Sequence, residues 1–165
     1  MAISPLPDVG PEIRILDPER TPEWREMVLA HWLRLDPDAR RLRFFGAMAD
    51  SALCTLAARS RPLQLVVHVP DGRVRGCAEV HPGDIRGTAE IAVSVEADWQ
   101  NRGVGAMLTA TAHAAATAAG FDDVRMVCLR RNTAMMRVAR KLSAHALPLA
   151  DWALALFRLK TLEAP

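Results

Sequence analysis

The chain has 165 residues, of which half are hydrophobic and about a quarter are charged, and its formal net charge is +2. This size fits one domain, and the composition excludes a disordered chain and a membrane protein. A charge this small argues against a polyanion as partner, so we expect neither nucleic acid nor a membrane among the partners. The N-terminus lacks a secretory signal and the three cysteines lack disulfide or metal-ligand spacing, which predicts a cytoplasmic protein without a metal. The sequence is compatible with a homodimer.

The first part of the chain predicts a short tail, one strand and three helices. Residues 1–12 contain several prolines and are expected to be irregular, whereas residues 13–165 are expected to form the domain. Thr21 and Pro22 are a helix-start signal with threonine as the N-cap, and Asp36 with Pro37 ends that helix and caps the next. The predicted elements are a strand over 13–16 and helices over about 21–35, about 37–45 and about 50–57.

The periodicity changes near residue 63, where a sheet is predicted to begin. Three antiparallel strands come first, and a strand-helix-strand crossover follows, with Gly120 ending its long helix. We therefore predict an α/β (α+β) fold, with a single domain built on a twisted, mixed and mostly antiparallel sheet flanked by helices. The predicted elements are strands over 63–69, 74–81, 89–95, 124–129 and 152–159, and helices over about 104–119 and 132–142.

The segment with the clearest chemistry is Gln100-Asn101-Arg102-Gly103-Val104-Gly105, between a predicted strand and a predicted helix. A loop that brings backbone N–H groups against a phosphate needs glycine at the closest approach, and the following helix adds its positive N-terminal end. Two glycines also suit an ordinary tight turn. The spacing is not a dinucleotide fingerprint, because Leu108 replaces the third glycine, and no Gly-Lys-Ser/Thr follows as in a nucleotide loop.

The stretch from Ala89 to Leu108 closely resembles the V-x-P-x-x-Q/R-x-x-G-x-G/A motif of the GNAT superfamily of N-acetyltransferases, with Ala97 in place of the proline. Residues 132–142 resemble the next motif of the family, and residues 35–45 are similar to GNAT domains of bacterial protein-lysine acetyltransferases. The resemblance implies a GNAT-like domain that takes acetyl-CoA as cosubstrate, with loop N–H groups around the pyrophosphate and a strand edge along the pantetheine. The implied cofactor-binding residues are Val93, Ser94, Val95, Gln100, Asn101, Arg102, Gly103, Val104, Gly105, Ala106 and Asn132.

The chain contains no tyrosine, so the tyrosine acid common in this family is absent. A primary amine is almost wholly protonated near pH 7, and a base is therefore expected to take its proton before attack on the thioester. Glu90, on the cofactor strand, resembles the glutamate base of protein-lysine acetyltransferases, and Glu79 on the preceding strand is the reserve. Both carboxylates also suit structural ion pairs. Cys128 either faces the thioester or is an apolar filler, and the filler role is expected. His68 and His81, on neighbouring predicted strands, either approach the acceptor site or are surface or packed side chains, and the second interpretation is expected for both.

Two further groups of side chains fit either a functional role or a purely structural one. Four arginines around residues 132–142 either meet the cofactor's 3′-phosphate or form an exposed basic face, and two phenylalanines are expected to pack in the core. These side chains are Arg130, Arg131, Arg137, Arg140, Phe44 and Phe45.

We therefore expect an N-acetyltransferase that moves an acetyl group from acetyl-CoA to an amine, either a protein lysine or a small molecule, by direct transfer in a ternary complex. The missing tyrosine suggests an alternative, a catalytically inactive CoA-binding regulatory domain. A nucleotide-binding module with the same phosphate loop is a third interpretation. Turnover across a panel of amines separates the first two, and a binding comparison of acetyl-CoA with ATP and NAD separates the third.

Overall fold

The computed structural model describes residues 12–160, where seven strands form one sheet flanked by helices. The predicted fold class is therefore confirmed, while the predicted tail lies outside the described residues except for Glu12. The strands are β1 Ile13–Leu16, β2 Gln64–His68, β3 Gly76–Pro82, β4 Thr88–Val95, β5 Asp123–Leu129, β6 His145–Leu147 and β7 Leu154–Leu159. The helices are α1 Trp24–Arg34, α2 Pro37–Phe44, α3 Asp50–Arg59, α4 Val104–Ala118 and α5 Thr133–Lys141, with a 3₁₀ turn at Ala97–Trp99.

The helix boundaries follow the capping signals in all but one case. Asp36 caps α2 by accepting a hydrogen bond from the backbone N–H of Ala39 at 2.8 Å, and Gly120 follows α4 with a φ of +93°. The prediction for Thr21 was wrong: its carbonyl accepts from Trp24 N–H at 3.0 Å, which closes a turn before α1, and Glu23 occupies the cap position. No helix of the described residues is long and apolar enough to cross a bilayer.

The strand order is β1-β2-β3-β4-β5-β7-β6, and every neighbouring pair is antiparallel except β4 and β5. Helix α4 connects these two parallel strands, as predicted for the crossover. The edge strand β6 was not predicted, because it has three residues and two of them are exposed. Its pairing with β7, rather than apolar alternation, holds it in the sheet.

The two faces of the sheet carry different helices. On one face, α4 packs with fully buried side chains such as Leu108 against alternate strand residues, among them Ile91. On the other face, Trp24 and Trp32 of α1 pack with α3 over Val67 and Cys77. Because side chains alternate along a strand, the even-numbered residues of β4 and the odd-numbered residues of β3 share this second face. We call it the α1 face.

The sheet splits between β4 and β5. The two strands pair over three residues, from Thr88 opposite Asp123 to Glu90 opposite Arg125, and do not pair beyond that point. On their outer sides β4 remains paired with β3 and β5 with β7. The sheet gap, between residues 91–95 of β4 and 126–129 of β5, therefore leaves strand edges inside the protein without a strand partner. Such an edge can pair with the amide groups of an extended ligand.

Candidate active site

A cavity of about 330 Å³ opens at the sheet gap, and we call it the large cavity. Its walls come from the end of β4, the glycine loop at residues 100–105, the start of α4, and helices α2 and α5. Most residues predicted to bind the cofactor come together here. Those lining the cavity are Val93, Ser94, Val95, Gln100, Asn101, Gly103, Gly105, Ala106 and Asn132.

Two predicted cofactor residues do not line the large cavity. The Arg102 guanidinium lies over the ring of Trp99, 5.0 Å from its centroid, and the Val104 side chain is buried in the core. Since neither side chain faces the large cavity, only the backbone N–H groups of these two residues can make the predicted contact with the cofactor.

The glycine loop carries a row of backbone donors without acceptors. Asn101 and Gly103 have φ values of 57° and 84°, a left-handed conformation that suits glycine best. From residue 101 to residue 106, no backbone N–H donates to an acceptor within residues 12–160. An added Cβ at Gly103 would meet no heavy atom within 4 Å. A concave row of free N–H groups at the start of a helix fits a phosphate group.

Two polar side chains hold the surrounding backbone in place. Gln100 Nε2 donates to the carbonyl oxygen of Val95 at 2.9 Å, which fixes the loop against the end of β4. Asn132 caps α5, since its Oδ1 accepts from Met135 N–H at 3.1 Å, and its Nδ2 remains available to a ligand. The α5 side of the wall also carries Arg137 and Lys141.

A small cavity of about 190 Å³ adjoins the large one, and the two share Val93, Asn132 and Met135 among their lining residues. The small cavity is also lined by Glu90 and His81, which face each other across β4 and β3. A ligand in the large cavity and a second ligand in the small one would therefore meet near Val93.

Glu90 offers an open carboxylate to the small cavity. It is exposed, and its basic neighbours are paired with other carboxylates: Arg43 and His81 with Glu79, and Arg125 with Asp123. A cationic group entering the small cavity would therefore find the charge of Glu90 available.

Glu79 is placed differently, because it is 1% exposed and lines neither cavity. Its Oε1 accepts from Arg43 at 2.5 Å and its Oε2 from His81 Nε2 at 3.1 Å. Burial alone would raise the pKa of Glu79, but Arg43 and His81 outweigh it and hold that pKa below its usual value. Glu79 is thus an ionised group whose two oxygens are both engaged, and an amine does not reach it directly.

The two phenylalanines of α2 differ in their packing. Phe44 packs edge-on against Trp32 at 5.3 Å between ring centroids, as expected of a core residue. For Phe45 the expectation was wrong: it is 47% exposed, has a φ of 63° and lines the small cavity. Its position just after the end of α2 turns it out of the core.

Cys128 lies in the wall of the small cavity but is suited to packing. It is 3% exposed, its Sγ lies 4.0 Å from the Met136 sulfur, and burial raises the pKa of its thiol. A neutral, buried thiol is a poor nucleophile, which agrees with the predicted filler role. Within residues 12–160, no group of three or more His, Cys, Asp or Glu side chains is arranged to hold a metal ion.

Comparison with known proteins identifies the family that has this architecture. A profile of the acetyltransferase (GNAT) domain matches residues 14–145. The chain belongs to the GNAT acetyltransferase family. This family uses acetyl-CoA.

Three solved structures illustrate the shared GNAT fold. The GNAT domain of S. lividans PAT has a TM-score of 0.70 at 14% identity, with 88% of each chain covered. The putative acetyltransferase yncA from Salmonella typhimurium, solved with acetyl-CoA, has a TM-score of 0.59 at 19% identity, covering 93% of this chain and 96% of that one. The ribosomal-protein-alanine N-acetyltransferase from Brucella melitensis has a TM-score of 0.62 at 17% identity, covering 88% and 97%. No curated protein matches the sequence.

Sequence reasoning missed a buried polar network beside β4 of this GNAT domain. His31 of α1 is fully buried, with Nδ1 3.1 Å from Glu96 Oε1 and Nε2 2.9 Å from Ser94 Oγ. Glu96 also accepts from Arg34 Nε at 3.0 Å and from Arg75 at 2.8 Å. A signal was present in the sequence, because His31 lies on the apolar stripe of α1 and a buried histidine needs polar partners.

The network positions β4 rather than performing chemistry. Burial lowers the pKa of His31, so the ring is neutral, donates from Nδ1 to Glu96 and accepts from the Ser94 hydroxyl at Nε2. Burial acts against ionisation of Glu96, but its bonds to His31, Arg75 and Arg34 outweigh burial and lower its pKa to about 2. The connectivity matches a serine-histidine-acid triad, yet a fully enclosed imidazole cannot deliver a proton to a leaving group. The network fixes α1 to the strand that borders the large cavity.

Proposed function

We propose that this GNAT domain transfers an acetyl group from acetyl-CoA directly to an amine, with the donor in the large cavity and the acceptor in the small one. The observation that carries this proposal is the meeting of the two cavities at Val93, with a row of free N–H groups at one end and the open carboxylate of Glu90 at the other. Direct transfer needs both ligands bound together, and two adjoining cavities meet that need.

The cosubstrate would be held mainly by backbone groups. The N–H groups of residues 101–106 would bind the pyrophosphate, and the edge of β4 at residues 93–95 would pair with the pantetheine amides. Asn132 Nδ2 would donate to the same arm. Arg137 and Lys141, in the wall of the large cavity, would meet the 3′-phosphate.

The acceptor would enter as an ammonium ion attracted by Glu90, which would draw off one proton. The neutral amine then attacks the thioester carbonyl, the C–N bond forms, and the C–S bond breaks to release CoA. Strand N–H groups beside Val93 would stabilise the charge that develops on the carbonyl oxygen. A small cavity of about 190 Å³ admits a lysine side chain or a small amine, so these are the proposed acceptor classes.

The proposal also includes a cellular location and a partner. The three cysteines form no disulfide, which supports a cytoplasmic location. The proposed partner is the amine acceptor alone, and a homodimer stays a prediction that sedimentation can test.

The test begins with binding. Calorimetric titration should show acetyl-CoA binding much more tightly than ATP or NAD, and absence of acetyl-CoA binding at millimolar concentration would refute the proposal. CoA release is then followed with a lysine peptide, spermidine, a free amino acid and an aminoglycoside, and the acetylated product is identified by mass spectrometry. Tight binding with no turnover on these amines or on a cell extract would favour the inactive CoA-binding domain instead.

A further inference from the structure

His81 and Glu79 form a pair that runs from the core to the small cavity. The Glu79 carboxylate is buried, the His81 side chain is 29% exposed and lines the small cavity, and His81 Nε2 lies 3.1 Å from Glu79 Oε2. The other oxygen of Glu79 is taken by Arg43. The Nε2 side of the imidazole is therefore held by Glu79, while the side chain forms part of the wall of the small cavity.

The pairing determines which nitrogen of His81 carries the proton. Glu79 is ionised and can only accept, so Nε2 must donate to it, and an imidazole that makes this bond as the neutral tautomer has its lone pair at Nδ1. No other residue in the described part of the chain hydrogen-bonds Nδ1. His81 thus has an unused basic nitrogen, and its side chain lines the small cavity.

The register of the sheet places His81 beside Glu90. His81 and Glu90 are direct partners on β3 and β4, with both side chains on the α1 face. Directly opposed residues in an antiparallel pair have Cβ atoms about 4.5–5.5 Å apart, near enough for a proton to pass directly or through one water.

We propose that Glu90 passes the proton of the acceptor amine to His81, which holds it during acetyl transfer. Glu79 is the positioning residue for His81. This inference rests on the proposed acetyl transfer and adds a residue to it. An imidazole is better matched than a carboxylate to holding a proton near neutral pH, and the imidazolium formed would pair with the Glu79 carboxylate.

The proton balance is complete without a further reactant. The ammonium group gives one proton through Glu90 to His81 Nδ1, and the neutral amine attacks the acetyl carbonyl. The C–N bond forms, the C–S bond breaks, and the second proton of the nitrogen ends on the CoA sulfur. His81 then returns its proton to water, and one free proton is released per acetyl group transferred.

The groups facing His81 come from four elements. Arg43 approaches from α2, Glu79 lies on β3 itself, and Glu90 lies on β4, while Cys128 of β5 lines the same cavity as a neutral thiol. Any pH dependence assigned to His81 must therefore be separated from that of Glu90.

The first experiment compares His81→Gln with wild type, using the amine of the panel that gives the fastest CoA release. Glutamine keeps an N–H donor for Glu79 but has no basic nitrogen. We expect kcat to fall about 10²-fold or more at neutral pH, with acetyl-CoA affinity and melting temperature unchanged, and to recover partly at alkaline pH, where more acceptor is already neutral. His145→Gln, a histidine on β6 outside both cavities, should keep full activity and the wild-type pH profile.

The double variant separates a relay from two independent effects. If Glu90 and His81 act in series, Glu90→Gln combined with His81→Gln should cost no more than the larger single loss. Multiplied losses would overturn the relay. Glu79→Gln, provided that it folds, should lower kcat at least tenfold with little change in KM, because a glutamine does not favour one tautomer of His81.

A measurement on the free protein needs no acceptor. Nitrogen-15 spectra of histidine-labelled protein, assigned by loss of a signal in His81→Gln, should show His81 protonated at Nε2 and unprotonated at Nδ1. Protonation at Nδ1 in the neutral ring would overturn the inference. Transfer by wild type with equal kcat in His81→Gln would also overturn it while leaving the proposed function intact, whereas no transfer to any amine would remove both.

Discussion

Replacing Glu96 with glutamine is expected to lower the free energy of unfolding by about 2 kcal/mol at pH 7. Glu96 is 7% exposed, and its carboxylate accepts hydrogen bonds from His31, Arg34 and Arg75. The amide of glutamine has no negative charge to balance the two arginines. The variant keeps the size of the side chain, so the packing of α1 against β4 is preserved and the lost term is mainly electrostatic.

The magnitude follows from the pKa of Glu96, which is about 2 in the folded protein against an ordinary value of 4.5. At about 1.4 kcal/mol per pKa unit this difference corresponds to about 3 kcal/mol. Because Arg34 and Arg75 keep 31% and 20% of their side-chain surface in water, screening reduces the expected value to about 2 kcal/mol.

The pH dependence has a definite sign. A carboxyl group whose pKa is depressed by folding stabilises the protein fully above the unfolded value and loses that contribution as pH falls. The difference between wild type and Glu96→Gln should be constant above about pH 5.5 and fall to about three quarters at pH 4 and about 40% at pH 3. His31 acts in the same direction in wild type, since its lowered pKa makes the folded state less stable below its ordinary value of 6.5.

Urea unfolding followed by tryptophan fluorescence measures this difference, because Trp24 and Trp32 are buried. Asp71→Asn is the matched control: it removes an exposed carboxylate that pairs with the same Arg75 at 2.6 Å, and should change stability far less. Equal losses in the two variants, or a Glu96→Gln difference that does not shrink on acidification, would refute the reasoning.

Three further predictions test the cofactor site and the cysteines. Gly103→Val should weaken acetyl-CoA binding at least tenfold in a calorimetric titration, whereas Gly87→Val, with a matching φ of 82° and equally open surroundings, should cost similar stability and leave binding unchanged. Asn132→Ala should cost about 1 kcal/mol of stability and weaken acetyl-CoA binding, while Asn132→Ser, which retains a cap, should restore stability but not binding. Iodoacetamide at pH 7 should modify exposed Cys54 and leave Cys128 intact in a peptide mass map; rapid labelling of Cys128 would contradict its buried, neutral state.

Local sequence was sufficient wherever short-range chemistry decides the structure. The glycine loop between a strand and a helix, the Asp36 cap and the end of α4 at Gly120 depend on backbone conformation and nearest neighbours, and the structure has them as predicted. Thr21 shows the limit of this approach, since a capping residue type does not determine which of several early residues begins the helix.

The difference between the two candidate bases was beyond such local reasoning because it depends on register and on pairing across the sheet. Glu79 and Glu90 are both strand glutamates with apolar neighbours in the sequence. The structure separates them, because Arg43 from a distant helix neutralises Glu79, while Glu90 stands open in the small cavity opposite His81.

The sequence by itself determined the family, the place of the glycine loop between a strand and a helix, and the order of the helices and of the strands other than β6, since these depend on residue type and spacing along the chain. The tertiary structure alone decided that the sheet splits after Glu90, that His31 meets Ser94 and Glu96, and that His81 pairs with Glu79 in the wall of the small cavity. The physical reason is that pairing, burial and charge depend on distances between residues far apart in sequence, and folding sets those distances.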